Sequence, residues 1–289
     1  MQTVDTTCLL FYFPMNVAMV DDDEDILNIL ASQFRDNEVS PHSTPEDLIS
    51  SIDPININIK EFIHEIAHGT YDLNFSNVKK FVDNNSNKHG IVISDYEMPS
   101  INGIDLLHKF NDFDVVKVLL TNVFTIEEAV NALNNGTIDF YLPKDHIHDI
   151  SEIINDLQLK FFKKKTREIL KTIDTNSIAF INDGDYIKLF NTVCSKYNII
   201  KYHILNSYGG YFLENTTEIF VFNIFHKSDL EDIANGFTEY HRTKIKTGNS
   251  IPSHLSRATN GDNLMKAEKH GDYFFNVERI LQDDHLKLG

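Results

Sequence analysis

Two short apolar runs in this chain stop abruptly on acids. Residues 15–20 run into Asp21, Asp22 and Asp23, and Ile91-Val92-Ile93 runs into Ser94-Asp95. An apolar run of this length reads as a strand buried on both faces, which is the habit of parallel sheets covered by helices. Acids at its C-terminal end fall where open α/β sheets bind their ligands.

The rest of the first half keeps this rhythm. Ile26, Leu27, Leu30 and Phe34 recur at helical spacing. Thr44-Pro45-Glu46-Asp47 reads as an N-cap, a proline at the first helical position and acids in the first turn. A helix is expected over 103–111, a strand over 115–120, a helix opened by the capping box of Thr125 and Glu128 and stopped by Gly136, then a strand over 138–142. Strands alternating with helices imply βαβ units with right-handed crossovers. Such a sheet gathers Asp21, Asp22, Asp95, Thr121 and Lys144 at one edge, each at or just past a strand end.

Three carboxylates at one edge repel each other unless a cation intervenes. Hard oxygen ligands with open positions suit Mg²⁺. A nearby lysine and hydroxyl would complete a site for a phosphoryl group, the lysine as a point cation and the hydroxyl as a hydrogen-bond donor. The constellation fits transfer of a phosphoryl group to a carboxylate.

Charge and length bound the rest. A chain of 289 residues is long enough for two domains. Its net charge of −17 argues against general affinity for nucleic acid or anionic membrane. The acidity sits mainly in the first 160 residues, and the segment from Thr175 onward is nearly neutral, which fits two domains with different tasks. Cys8 and Cys194 form no CxxC pair and read as reduced thiols. The most apolar N-terminal run, over 8–20, is too short to span a bilayer. A soluble, cytoplasmic protein is expected.

One long helix is expected over 149–173, with Ile150, Ile153, Ile154, Leu157 and Phe161 as its stripe. Lys160, Lys163, Lys164, Lys165, Arg167 and Lys171 make its second half basic, which reads as a solvated helix connecting two domains. Beyond it, 175–289 reads as an α+β domain. Helices are expected over 185–197 and 229–237, and strands over 199–205, 211–213 and 218–225 around a Gly209-Gly210 turn, with 273–277 returning to the sheet. In the third strand Phe220, Phe222 and Ile224 share one face.

Val20-Asp21-Asp22-Asp23, the run Ser94-Asp95-Tyr96-Glu97-Met98-Pro99-Ser100-Ile101-Asn102-Gly103, Leu119-Leu120-Thr121 and Phe140-Tyr141-Leu142-Pro143-Lys144 resemble, in order, the motifs of bacterial response-regulator receivers. The resemblance covers about residues 15–160. It implies a five-stranded doubly wound α/β receiver, followed here by a smaller α+β domain with an antiparallel sheet. The expected layout is an N-terminal arm over 1–14, a receiver over 15–150, the connecting helix over 149–173 and an output domain over 175–289.

Carried over by position, the resemblance makes Asp95 the phosphoacceptor. Asp22, Asp95 and the backbone carbonyl of Glu97 would hold Mg²⁺, with Asp21 acting through water. Thr121 and Lys144 would bind the phosphoryl oxygens, and Tyr141 would be the aromatic switch residue. The implied partners are a sensor histidine kinase or phosphotransfer protein, a second copy of the chain as a homodimer, and an output partner that the sequence does not name.

Three features depart from the pattern. The interval between Asp22 and Asp95 is roughly thirty residues longer than usual, far beyond a loop of ~4–6 residues, and the insertion is placed around 52–74. Asn122 follows the threonine where a smaller residue is common. Asp145 follows the lysine where the family usually has proline.

A competing motif lies inside the insertion. His64-Glu65-Ile66-Ala67-His68 matches HExxH, which on a helix would put two imidazoles on one face for Zn²⁺ with a glutamate as general base. No third histidine follows nearby, and two histidines on a polar face explain the match as well. The second half carries no cyclase motif, P-loop, GxSxG or convincing helix-turn-helix. Arg242, Lys244, Lys246 and Arg257 form a modest basic cluster that reads as a solvated loop. Partner binding or dimerisation is therefore the expected output, with a transcription factor of unrecognised DNA-binding surface as the rival reading and a zinc metalloprotease through His64, Glu65 and His68 as the remote one.

Overall fold

The computed structural model describes residues 9–34, 38–55, 75–123, 125–172, 175–205, 209–226, 268–270 and 272–280. The chain divides into two compact units. One comprises Pro14–Phe62 with Asp83–Lys165; the other comprises Met1–Phe13, Ile63–Val82 and Thr166–Gly289. The first strand, β1 (Phe11–Tyr12), belongs to the second of these.

The first unit is a five-stranded parallel sheet with helices. Its strands are β2 (Asn16–Val20), β3 (Val39–His42), β4 (His89–Asp95), β5 (Val116–Leu120) and β6 (Phe140–Leu142), in the order β3-β2-β4-β5-β6. This is the doubly wound order of flavodoxin-like sheets. The central strands are mostly apolar, as expected of a sheet covered by helices on both faces: Val17–Val20, Ile91–Ile93 and Val118–Leu120 are buried. β3 was not foreseen. It is an edge strand paired only with β2, so it tolerates Pro41, which cannot donate to a ladder.

Helix starts follow the caps. Asp23 accepts from the amides of Asp25 and Ile26 to open α1 (Glu24–Ala31). Thr44 accepts from Asp47 to open α2 (Pro45–Ser51). α3 (Phe75–Asn85) precedes β4. Asn102 accepts from Asp105 to open α4 (Gly103–His108). Thr125 and Glu128 form the full capping box of α5 (Ile126–Asn134). α4 is shorter than expected: residues 109–112 leave the helix in turns, with Phe110 buried.

A 3₁₀ turn (Lys144–Asp149) leads into α6 (Ile150–Leu170). The stripe residues Ile150, Ile154, Leu157 and Phe161 are buried. Lys165 is not part of a solvated basic face. It is buried and ion-paired with Asp114, with its ammonium 5.6 Å from the Phe161 ring centroid.

The second unit holds a six-stranded antiparallel sheet. Its strands are β1, β7 (Lys201–Ile204), β8 (Tyr211–Glu214), β9 (Ile219–His226), β10 (Glu268–His270) and β11 (Tyr273–Ile280), in the order β1-β7-β8-β9-β11-β10. A 3₁₀ stretch (Thr175–Asn182) and α7 (Gly184–Lys196), capped by Asp183, precede β7. The core is aromatic. Phe190 of α7 lies 4.6 Å, centroid to centroid, from Tyr211 and 5.9 Å from Phe222. Gly209 has φ +94°, and a Cβ there would meet the Tyr186 ring at 2.8 Å, so only glycine fits this turn.

Of the expected N-terminal arm, Phe11 and Tyr12 form a strand of this sheet, and 1–8 lie outside the described residues. Phe11 pairs with His203 and Tyr12 with Tyr202. Leu9, Leu10, Phe11 and Phe13 are buried, and the Phe11 ring lies 5.0 Å from that of Phe81 on α3. Of the expected insertion, Pro54 bridges to His89 and Ile55 is buried, while 56–74 lie outside the described residues. So do His64, Glu65 and His68, the helix expected over 229–237 and the basic cluster over 242–257.

Candidate functional site

Register alone assembles the site. Val20 of β2 sits opposite Ser94 of β4, so Asp21 and Asp95 stand side by side where these two strands end. Asp95 in turn pairs with Leu120 of β5, which is followed by Thr121. Leu120 pairs with Leu142 of β6, and Lys144 lies two residues further on. All five expected groups therefore meet at the carboxyl edge of the sheet, from segments far apart in sequence.

The acids are crowded. One carboxylate oxygen from each of Asp21, Asp22 and Asp95 lies within 4.8 Å of the others. Asp21 and Asp95 are buried and Asp22 is exposed. The Lys144 ammonium sits 2.8 Å from Asp21 Oδ2 and 3.2 Å from Asp95 Oδ1. Asp21 Oδ1 also accepts from the Asp23 amide at 3.0 Å.

Burial pushes the Asp21 carboxyl above its ordinary value, against the hydrogen bond and charge of Lys144, which pull it down. Burial also opposes the charge on Lys144. The bonds and charges of Asp21 and Asp95 more than offset it, so the ammonium is held above its ordinary value. One lysine thus faces two buried carboxylates with a third at the rim, which leaves an excess of negative charge at an oxygen-lined edge. That donor set fits a hard divalent cation such as Mg²⁺.

Close packing fixes the turn after Asp95. A Cβ on Gly103 would meet the Asp95 carbonyl oxygen at 2.0 Å, so a glycine is required for α4 to start here. Gly103 donates to the Tyr96 carbonyl at 2.9 Å, closing the loop that contains Glu97, which is exposed two residues past the end of β4.

Thr121 is buried, and its Oγ1 accepts from the Val123 amide at 3.2 Å. The Tyr141 hydroxyl donates to the Thr121 carbonyl at 3.2 Å, so the ring of the expected switch residue is anchored to the threonine turn. The sequence reading missed two features of this edge. His42 ends β3 opposite Val20, buried, with Nδ1 2.7 Å from Asp47 Oδ2. The two departures from the family pattern meet: Asn122 Nδ2 donates to Asp145 Oδ1 at 3.1 Å.

Comparison with known proteins places this geometry. No family model matches the chain. A protein-glutamate methylesterase/protein-glutamine glutaminase of Methanosarcina mazei is 32% identical over 85 residues, which is 28% of this chain and 24% of that protein. The chain thus spans about a quarter of the curated relative it matches. The structure of the Legionella pneumophila response regulator LqsR superimposes with a TM-score of 0.68 at 22% identity, over 96% of this chain and 93% of that one. Among the described residues no helix is long and apolar enough to cross a membrane. The chain shares the fold of the LqsR structure: a receiver-type five-stranded parallel sheet with helices, and a C-terminal region carrying its own antiparallel sheet.

Proposed function

We propose that this protein is a phosphorylation-dependent signalling switch in which Asp95 accepts a phosphoryl group. The observation that carries the reading is Lys144, whose ammonium reaches both Asp21 and Asp95 at the carboxyl edge of a receiver sheet. A carboxylate oxygen of Asp95 would form a bond to phosphorus as the bond to the donor's leaving group breaks, giving an aspartyl phosphate. Lys144 would follow the charge onto the phosphoryl oxygens, and the Thr121 hydroxyl, which accepts from the Val123 amide, would donate to a phosphoryl oxygen.

Asp22, Asp95 and the Glu97 carbonyl would hold Mg²⁺, with Asp21 acting through water. The ion would neutralise charge on the transferring group. Movement of the Thr121 turn would draw on the Tyr141 hydroxyl bonded to its carbonyl, and so change the surface beside α5 and β6. The phosphodonor is a sensor histidine kinase, a phosphotransfer protein or a small acyl phosphate. The output is partner binding or dimerisation through the second unit.

The test is intact-mass analysis of the full chain after acetyl phosphate treatment. The wild type gains a phosphoryl adduct in Mg²⁺ and not in EDTA, and Asp95→Asn gains none, because the amide lacks the anionic nucleophile. Undiminished labelling of Asp95→Asn sinks the assignment.

A further inference from the structure

The two residues that depart from the receiver pattern at this edge are bonded to each other. Asn122 follows Thr121 and Asp145 follows Lys144, and the Asn122 amide donates to the Asp145 carboxylate at 3.1 Å. The bond is one of three ties between the Thr121 turn and the segment that runs from β6 to Asp145. The Thr121 amide donates to the Leu142 carbonyl at 3.1 Å, and the Tyr141 hydroxyl donates to the Thr121 carbonyl at 3.2 Å. Asn122–Asp145 is the tie made by two side chains that are both exposed.

We propose that Asn122 and Asp145 form a positioning clasp that holds the Thr121 and Lys144 turns together over the phosphoryl group and lengthens the life of the aspartyl phosphate. The proposal rests on Asp95 being the phosphoacceptor. Hydrolysis requires a water oxygen to bond to phosphorus while the bond from phosphorus to the Asp95 oxygen breaks. The carboxylate is regenerated, inorganic phosphate leaves, and the water's proton passes to phosphate or solvent. The clasp would act on that step through the two turns that carry Thr121 and Lys144. A bridge one residue beyond each phosphoryl-binding group would restrict how far the two turns part and so hold both groups on the phosphoryl oxygens against the attacking water. Asp145 serves here as a hydrogen-bond acceptor, so its action depends on Asn122 and not on its charge alone.

This dependence separates the clasp from a plain charge effect. Full-length wild type, Asn122→Ala, Asp145→Ala, the double variant and Asp145→Asn are phosphorylated with acetyl phosphate and Mg²⁺ and freed of donor. The remaining aspartyl phosphate is then followed by phosphate-affinity electrophoresis, with Tm recorded for each variant. Each alanine variant is expected to lose the phosphoryl group about threefold faster, the scale of one exposed charge-assisted bond. The double variant is expected to match the singles, because breaking one bond twice adds nothing. Asp145→Asn keeps an acceptor and is expected to retain the wild-type lifetime. Unchanged lifetimes in the alanine variants of a labelled protein overturn the clasp alone. So do single effects that multiply in the double variant, or Asp145→Asn behaving like Asp145→Ala. A wild type that takes no label on Asp95 overturns the phosphoacceptor reading and the clasp with it.

Discussion

The two units use buried polar groups in opposite ways. In the antiparallel unit, Tyr186 donates to the Gly209 carbonyl, Tyr211 donates to the Leu9 carbonyl at 2.8 Å, and His203 lies 3.2 Å from the Ile204 carbonyl. Each of these three side chains ends on backbone and is satisfied within the aromatic core. In the parallel unit, buried Lys117 is also satisfied, by the Asn111 side-chain oxygen and the Gly136 carbonyl. At the strand ends, however, Asp21 and Asp95 face each other and share Lys144. Like charges brought together underground are an expense that packing does not explain. Buried polarity alone is therefore a poor guide to a site. Buried polarity that is mutually repulsive is a good one.

The sharpest way to break this contrast is to damage one unit and read the other. Phe11 is fully buried in the antiparallel unit, and its ring stands 5.0 Å from Phe81. Phe11→Ala is expected to lower stability by about 3–5 kcal/mol, measured by denaturant unfolding. Labelling of Asp95 in the variant is expected to persist where the protein remains folded, because none of the pocket groups comes from this unit. A variant as stable as wild type shows that β1 is ornamental. Tyr211→Phe should act the same way on a smaller scale. It strands the Leu9 carbonyl and is expected to cost about 1–2 kcal/mol, again without touching the chemistry.

What the sequence disclosed follows from the same contrast. The strands β2, β4 and β5 are buried on both faces, so they announce themselves as apolar runs, and the acids at their ends announce the site. The caps at Thr44 and Thr125 were equally legible, because they are local. β3 was not, because an edge strand reading Val39-Ser40-Pro41-His42 has neither alternation nor an apolar run. β1 was hidden for a different reason. It is two residues long, and Tyr211, which bonds to the adjacent Leu9, lies 202 residues away. The meander of β7, β8 and β9 was visible from its aromatics and glycines, but nothing local says that Phe11 and Tyr12 complete its edge. Asn122 and Asp145 each stood out as departures. That they meet across 23 residues depends on the β5–β6 register.

The smallest expected effect has the opposite sign and tests whether the site is an expense to the fold. Burial raises the Asp21 carboxyl above its ordinary value, despite the opposing pull of Lys144. The folded chain then binds that proton more tightly than the unfolded chain does. Between the ordinary carboxylate value and the raised one, the folded state carries more protons, so this group's contribution to stability falls as pH rises through the window. Above the window the full penalty remains. Asp21→Asn removes the charge while its amide oxygen can still accept from Lys144, which also keeps Asp95 as a partner at 3.2 Å. The variant is therefore expected to melt higher than wild type at neutral pH in metal-free buffer, by less than Tyr211→Phe lowers stability. The difference should shrink as pH is taken down through the carboxylate range, where wild-type Asp21 becomes neutral too. Labelling of Asp95 is expected to weaken in the same variant, as befits a residue kept for function against stability. A lower Tm for Asp21→Asn at neutral pH would mean that the Lys144 pairs hold the edge together. The acids would then belong with Lys165 and Asp114, as structure.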